Sequence, residues 1–500
     1  MGNHLAVDVG SSGTKVLLLR LTEKGYETEQ IMRFQTPRTV LNGHWHINTY
    51  LIFQNICDAI RELGQRGGVI DSLGVDTWTS DYGIINSAGE QIGLPSFYRD
   101  SQFDAAWELV EQKISYEELY RLTTQRKMRE STLCQLVYTT KQRPALLQEG
   151  DRLLFLGDLI MYYFTGRACS EISAASYSQM FDMRAMKWQP AVFERFALPR
   201  SLQTELVEAG DTLGAASAQL AAALGVKPFR IIAPATHDTS SAVAAVPARS
   251  GENWAFIATG SWFLIGVELD APADCGRSMR YSCSNTGLAF GKTMLKRNVT
   301  AMWLLQECRR CWQARGISIT FSQIAEMAAE AEPFYAMLNP EDAAFVHPQD
   351  MPGAISAWLE AHGQRTIQPD DIGRIARTIY ESVALASAYS LRAIEYVSNT
   401  KKDVVYAVGG ASRVALLNQM LANATGKPVL TGPEEASGIG NGLLQAYGAG
   451  EISSAEELRA RVRAENQEKR YDPADGPLWA ERLAAFCTLC GRELPEEVEE

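Results

Sequence analysis

Asp238 stands in the stretch Pro234-Ala235-Thr236-His237-Asp238-Thr239. The run before it, Phe229 to Ala233, predicts a short buried strand. The small apolar run after it, Thr239 to Val246, predicts the start of a packed helix. Strand-to-helix junctions are where α/β proteins place ligands, because a helix start offers unpaired N–H groups and the positive end of a dipole. A carboxylate there can take a proton from a bound hydroxyl. It can equally cap the helix, since Asp and Thr are both good N-cap residues.

Two further groups of residues could do chemistry. Between Trp78 and Asp100, polar groups gather at strand ends, which suits a sugar. Trp78 or Tyr98 can lie against its carbon face, and Asp81, Arg99 and Asp100 can hydrogen-bond its hydroxyls. A surface loop with an internal Arg–Asp pair would account for the same residues. Near the N-terminus, Leu5 to Val9 and Lys15 to Leu19 read as strands joined by Gly10-Ser11-Ser12-Gly13-Thr14. A small-residue hairpin tip exposes backbone N–H groups that can cradle phosphate oxygens. It is not a Walker loop, since no Gly-Lys-Thr or Gly-Lys-Ser opens a helix after it.

The elements that must position these groups read as an α/β chain. Ser72 to Trp78 and Tyr82 to Asn86 are predicted strands, with a turn at Asn86-Ser87-Ala88-Gly89. Gln102 to about Gln148 is helical and charged, and Asp158 to Phe164 is a short helix ended by Gly166. Beyond Pro247 the pattern starts again. Trp254 to Ala258 and Trp262 to Val267 flank Thr259-Gly260-Ser261, a second small-tipped hairpin about 250 residues after the first. That repeat predicts two related domains, each opening with a hairpin that could grip a polyphosphate. Asn298 to about Trp312 reads as one amphipathic helix. A further helix, opened by Pro369-Asp370-Asp371, carries Ile372, Ile375, Ile379, Val383 and Ala386 on a core-facing stripe. After the predicted strand Val404 to Val408, Gly409 and Gly410 let backbone approach a flat ligand such as a base or ribose.

The totals narrow the classes. At 500 residues the chain is long enough for two to four domains. A net charge of −12 argues against nucleic acid or an anionic membrane as the main partner. No apolar run is long enough to span a bilayer, Asp8 interrupts the N-terminal apolar stretch, and no basic leader precedes it, so a cytoplasmic location is expected. Nine cysteines argue against a disulfide scaffold, and the pairs Cys308/Cys311 and Cys487/Cys490 sit in helix-like sequence without the turns of a zinc knuckle.

Taken in order, the motifs resemble the FGGY family of carbohydrate kinases, of the actin/sugar-kinase/Hsp70 superfamily. Asp8-Val9-Gly10-Ser11-Ser12-Gly13-Thr14 is similar to the first phosphate motif and Thr259-Gly260-Ser261-Trp262 to the second. Gly409-Gly410-Ala411-Ser412-Arg413 is similar to the adenosine motif, and His237-Asp238-Thr239 to the catalytic segment. Within the family the likeness is greatest to the rhamnulokinase branch, through Gly74-Val75-Asp76-Thr77-Trp78, Leu94-Pro95-Ser96-Phe97-Tyr98-Arg99-Asp100, Trp303-Leu304-Leu305-Gln306 and Gly432-Pro433-Glu434-Glu435-Ala436-Ser437. Other stretches, such as Leu206-Val207-Glu208-Ala209-Gly210, lean toward L-fuculokinases. Thr79-Ser80 departs from the Gly-Val usual in the rhamnulokinase branch, Thr-Gly-Ser replaces Ser-Gly-Thr in the second phosphate motif, and Ala411 stands where a third glycine is common.

The resemblance implies two ribonuclease H-like, actin-like domains with a cleft between them. Residues 1–245 would bind sugar and carry the first phosphate loop and the catalytic acid, 246–455 would bind nucleotide, and 456–500 would form a helical tail. It implies transfer of the ATP γ-phosphoryl group to the 1-hydroxyl of a ketose, most closely L-rhamnulose. Asp238 would be the base, and Trp78, Thr79, Asp81, Arg99, Asp100, His237 and Thr239 would line the sugar site, His237 otherwise being a packed structural histidine. Gly10, Ser11, Ser12, Gly13, Thr14, Lys15, Ser261, Asn298, Gln306, Gly409 and Gly410 would hold the nucleotide, and Asp8 would hold Mg²⁺. The partners implied are sugar and ATP, in a monomer or homodimer. The rival expectations are another ketose or polyol kinase, an actin- or Hsp70-like scaffold driven by ATP, and a catalytically silent sugar sensor.

Overall fold

The computed structural model describes every residue except Met1, Ser12, Ala145, Glu149, His347, Glu499 and Glu500. The chain divides into two compact units. The first holds Met1–Arg249, Glu268–Leu295 and Glu435–Glu465, and the second holds Ser250–Val267, Lys296–Glu434 and Asn466–Glu500.

The first unit is built on strands β1 (Asn3–Val9), β2 (Thr14–Leu21), β3 (Tyr26–Phe34), β4 (Ser72–Thr77), β5 (Thr212–Ala215) and β6 (Arg230–Ile232). They lie in the order β5-β6-β4-β1-β2-β3. β1 runs antiparallel to β2 and parallel to β4, and β4 runs parallel to β6. Alternate residues of a strand face opposite sides of a sheet. On one side Leu5, Val7, Val9, Leu73, Val75 and Ile231 form a core with Ile52, Ile56 and Ile60 of helix Thr49–Gln65. Each such side chain contributes about 1.5–3 kcal/mol when fully buried.

The opposite face meets helix Ala436–Gly448. A Cβ on Gly438 would lie 2.5 Å from a Leu17 methyl, and one on Gly440 would lie 1.8 Å from the Ser241 carbonyl oxygen. Only glycine therefore lets this helix lie against the sheet and the segment after β6 together. Tyr82–Ile85, read as a strand from its sequence, does not join this sheet. It pairs with Arg152–Phe155 over a separate core that includes Phe103, Trp107, Leu133 and Phe181. The helix read at Asp158 to Phe164 spans Leu156–Thr165 and ends at Gly166, whose φ is +69°.

The second unit repeats the arrangement. β7 (Trp254–Thr259) runs antiparallel to β8 (Trp262–Leu269) and parallel to β10 (Val404–Val408), and β10 runs parallel to β11 (Val429–Thr431). A hairpin followed by a parallel neighbour is the pattern of β1, β2 and β4.

One expectation is corrected. The single helix from Asn298 to Trp312 is a strand, β9 (Thr293–Thr300), followed by helix Met302–Ala314. The helical spacing of Leu304, Leu305, Cys308 and Trp312 is real, but Val299 and Thr300 are β-branched and belong to the sheet. Asn298 is thus a strand residue. Helix Ile372–Ser398 does begin after Asp371, whose side chain accepts the Arg374 N–H at 3.2 Å, but it is buried on far more than one stripe. Its inward serines bond back along the helix, as Ser387 does to the Val383 carbonyl at 2.8 Å. Among the described residues no helix is long and apolar enough to cross a membrane.

Candidate active site

The strand before Asp238 is β6, and the helix after it is Asp238–Ala244. The N-cap of that helix is His237, in extended conformation at φ −78° and ψ 114°, and it makes no side-chain cap bond. Asp238 is therefore the first helical residue and not the cap. Its Oδ1 accepts the Thr239 N–H at 2.5 Å and the Thr239 hydroxyl at 3.1 Å, and its side chain keeps 32% of its surface exposed. His237 is buried. Its Nδ1 lies 3.3 Å from the Ser240 hydroxyl, its Nε2 lies 3.6 Å from Asp238 Oδ1, and its ring tilts against Tyr177.

Asp238 shares its surroundings with two carboxylates of the central strands. Asp8 on β1 and Asp76 on β4 are register partners, so both point to the face covered by helix Ala436–Gly448. Burial, then the Asp238 charge, push the Asp8 carboxyl up to about 7, against the pull of Lys15. Burial, then the Asp8 charge, push Asp76 well above the usual carboxylate range. Asp76 Oδ2 accepts the Asn441 amide at 2.6 Å, while its buried Oδ1 has no hydrogen-bond partner. Lys15 is paired with Glu435.

The hairpin tip beside these acids is fastened from inside. The Gly10 N–H donates to the Gly13 carbonyl at 3.1 Å, and a Cβ on Gly10 would lie 2.9 Å from that oxygen. The Thr36 hydroxyl donates to the Gly10 carbonyl at 2.6 Å and lies 3.0 Å from the Thr14 hydroxyl. Ser12 lies outside the described residues, and Ser11 flanks it at the tip.

The residues expected to line the sugar site leave β4 next to His237. The Thr77 N–H donates to the Thr236 carbonyl at 2.9 Å. Trp78 Nε1 donates to Asp81 Oδ2 at 2.9 Å, and Gln135 Nε2 donates to Asp81 Oδ1 at 3.0 Å. Burial pushes Asp81 up to about 7, these bonds only partly opposing it. Thr79 and Ser80 are buried, and Ser80 takes a φ of +90°, rare for a residue with a side chain. The Ser80 carbonyl is held by the Thr132 hydroxyl at 2.9 Å and by Gln135 Nε2 at 3.3 Å. Arg99 Nε donates to the Tyr98 hydroxyl at 2.7 Å. Asp100 accepts from the Trp45 and Gln102 N–H groups at 2.6 and 2.9 Å and lies 3.0 Å from His44 Nδ1. Burial raises its pKa, but these bonds outweigh burial and hold the carboxyl below its ordinary value.

In the second unit, four of the nucleotide candidates fall into two touching turns and a helix. The Gly260 N–H donates to the Trp262 carbonyl at 3.1 Å, and the Ser261 hydroxyl donates to Gln306 Oε1 at 2.9 Å. Gly409 has a φ of +92°, and a Cβ there would lie 2.6 Å from the Thr259 carbonyl oxygen. The Ala411 N–H donates to the Thr259 hydroxyl at 3.1 Å. Gly410 faces open space. Asn298, on β9, accepts from Lys296 Nζ at 3.3 Å.

Sequence reasoning did not single out Asp76, Gln135, Asn441 or Glu171. The signal for Asp76 was present, as a carboxylate inside the apolar strand Ser72–Thr77. Gln135, Asn441 and Glu171 gave none, because each reaches its partner across a long sequence separation.

The FGGY carbohydrate kinase N-terminal domain model matches residues 4–245, and the C-terminal domain model matches residues 255–449. The chain belongs to the FGGY family of carbohydrate kinases. It is a sugar phosphotransferase by that membership. The FGGY chain is 32% identical over 477 residues to a rhamnulokinase of Bacteroides thetaiotaomicron, covering 95% of this chain and 97% of the relative. It is 29% identical over 493 residues to a rhamnulokinase of Ligilactobacillus salivarius, covering 99% and 100%. Its fold matches a ligand-bound xylulose kinase from Lactobacillus acidophilus with a TM-score of 0.79 at 15% identity, covering 98% of each chain. The two-domain FGGY fold is thereby shown, and at that identity the likeness speaks to fold alone.

Proposed function

We propose that this kinase transfers the γ-phosphoryl group of ATP to the 1-hydroxyl of a ketose, and that the ketose is L-rhamnulose. The observation that carries the reading is Asp238. Its carboxylate is partly exposed at the end of a buried loop, does not cap its helix, and feels the charge of Asp8 on the strand that opens the phosphate hairpin. A carboxylate so held can accept the hydroxyl proton as the oxygen bonds to phosphorus, and can orient that oxygen in line. Transfer breaks the bond between the γ-phosphorus and its bridging oxygen, and ADP leaves.

The N–H groups of Gly10 to Lys15 would hold phosphate oxygens, and Ser261, Gln306, Asn298, Gly409 and Gly410 would hold the nucleotide. Trp78, Thr79, Asp81, Arg99, Asp100, His237 and Thr239 would surround the sugar, with Asp81 and Asp100 setting the loop through the bonds they already make. Among the described residues no group of three His, Cys, Asp or Glu side chains is spaced to hold a metal ion without a ligand's oxygens. Asp8 and Asp76 nevertheless fit a divalent cation shared with phosphate, since their charges oppose each other and Asp76 Oδ1 is buried without a partner. Mg²⁺ held there would neutralise charge on the transferring phosphoryl group. The choice of L-rhamnulose rests on the rhamnulokinase relatives. Thr79-Ser80 favours a second reading, another ketose or polyol kinase such as an L-fuculokinase or xylulokinase. We further expect a cytoplasmic monomer or homodimer, which size-exclusion chromatography with light scattering would assign.

The test is ADP release from Mg-ATP with L-rhamnulose, L-fuculose, D- and L-xylulose, D- and L-ribulose, glycerol or no sugar. Preference for L-rhamnulose supports the proposal. Preference for another sugar keeps the kinase and moves the specificity, and release indifferent to sugar contradicts the reading.

A further inference from the structure

Glu171 ends the short strand Cys169–Glu171 and caps helix Ile172–Tyr177. It is 2% exposed, with no role in the account above. One of its oxygens, Oε2, gathers four donors. They are the Ser173 N–H at 3.0 Å, the Ser173 hydroxyl, the Thr236 N–H at 2.8 Å and the Thr236 hydroxyl at 3.0 Å. The Ser173 oxygen in turn accepts the His237 N–H at 3.0 Å. The two peptide N–H groups that precede Asp238 are therefore both tied to one carboxylate, the first directly and the second through a serine.

The tie acts on the Thr236 and His237 N–H groups, beside other anchors of the segment: the Ser241 hydroxyl donates to the Ala235 carbonyl at 2.7 Å and the Ser240 hydroxyl to the Gly287 carbonyl at 3.0 Å. Beyond β6, Ala233 still pairs with Gly210 and Asp211, and the loop then meets β4 through the bond from Thr77 to the Thr236 carbonyl and a bridge between Thr77 and His237. The Asp238 helix is only seven residues long, and the side chain of its N-cap, His237, makes no cap bond to the helix N–H groups and lies instead 3.3 Å from the Ser240 hydroxyl. A buried carboxylate is costly to desolvate, and four donors on one oxygen offset that cost only while all stay in place. The arrangement therefore favours the observed loop geometry. Asp158 adds to this by accepting the Glu171 N–H on both oxygens, at 3.3 and 3.4 Å.

We propose that Glu171 is the positioning residue of the phosphoryl-transfer site, fixing where the Asp238 carboxylate stands through Thr236 and through Ser173 to His237. The proposal rests on Asp238 being the base. It implies a division between variants. In Glu171→Gln the amide oxygen can take the place of Oε2 and keep all four donors. Glu171→Ala leaves them unpaired and frees the loop.

The experiment measures kcat and KM for both substrates in wild type, Glu171→Gln, Glu171→Ala and Ser173→Ala, with crystal structures of wild type and each alanine variant. Glu171→Ala should lower kcat by about 30-fold or more with each KM within about threefold, because a base displaced by about 1 Å costs rate more than binding. Glu171→Gln should keep at least about half of kcat, a rescue that general loss of stability would not give. Ser173→Ala, which removes one hydroxyl and folds more readily, should lower kcat by about tenfold and serves if the Glu171→Ala protein does not fold. An alanine variant with kcat within about twofold of wild type, or with its Asp238 carboxylate unmoved within about 0.5 Å, overturns the proposal. The structures decide the positioning claim without turnover. A wild-type protein that shows no sugar-dependent ADP release contradicts the proposed function, whereas an unmoved Asp238 contradicts only the role of Glu171.

Discussion

Asp8 and Asp76 lie side by side as register partners on adjacent parallel strands, and Asp76 keeps one buried oxygen without a hydrogen-bond partner. Such a pair raises its own proton affinity, and a cation offers the direct relief. Asp76→Asn should therefore weaken the stabilisation that Mg-ATP gives. In melting curves with and without Mg-ATP, the ligand-induced rise in Tm should shrink by at least about half, as expected when affinity falls by tenfold or more. An unchanged rise would separate Asp76 from the cation.

Asp238→Asn should keep ATP binding and lose turnover by about 100-fold or more, the lower range for removal of a general base. Isothermal titration of ATP and steady-state ADP release on the same protein check both halves. A variant with about a tenth of wild-type turnover would take the base role away from Asp238.

Asp81 gives a pH dependence with a definite sign. Its folded pKa is raised to about 7, first by burial, above an unfolded value near 3.8. Between those values the folded state holds a proton that the unfolded state releases, so this group's contribution falls as pH rises from about 4 to about 7. Asp81→Asn removes the contribution, so the Tm of wild type should fall relative to that of the variant over that window. A wild-type Tm that rises relative to the variant's over that window would contradict the assignment.

Gly409 cannot carry a side chain without moving Thr259, since a Cβ there would lie 2.6 Å from the Thr259 carbonyl oxygen at a φ of +92°. Gly409→Ala should cost about 1–3 kcal/mol of stability and weaken nucleotide binding, while sugar binding to the first unit stays unchanged. Thermal melting and separate titrations of nucleotide and sugar would show it.

Ser80 tests the loop that follows β4. At a φ of +90°, Ser80→Gly should be neutral or stabilising by up to about 1 kcal/mol, and Ser80→Val should destabilise by about 1–3 kcal/mol, because a β-branched residue is least tolerant there. Equal stability of the two variants would mean the loop relaxes in solution.

Much of this was legible in the sequence, for physical reasons that differ by element. The hairpins at Gly10 and Gly260 showed because small turn residues between apolar runs have few other uses. The junction at Asp238 showed because a strand, a proline and a small-residue helix start are local signals. What stayed hidden depends on distant partners. That Asp238 is not the cap is decided by His237 backbone angles, and Asp100 is held by Trp45 and His44, from a hairpin more than fifty residues earlier. Asn298 was misread because helical spacing just after it extended the pattern backward across Ala301, where the strand ends. Glu171 left no trace at all, since its four donors come from Ser173 and from Thr236, 65 residues later.

The most direct measurement of the central claim is ADP release against the ketose panel, run beside Asp238→Asn. The account predicts release that depends on sugar, is fastest with L-rhamnulose and is abolished in the variant. Release that is the same with and without every sugar, or that survives Asp238→Asn, would contradict it.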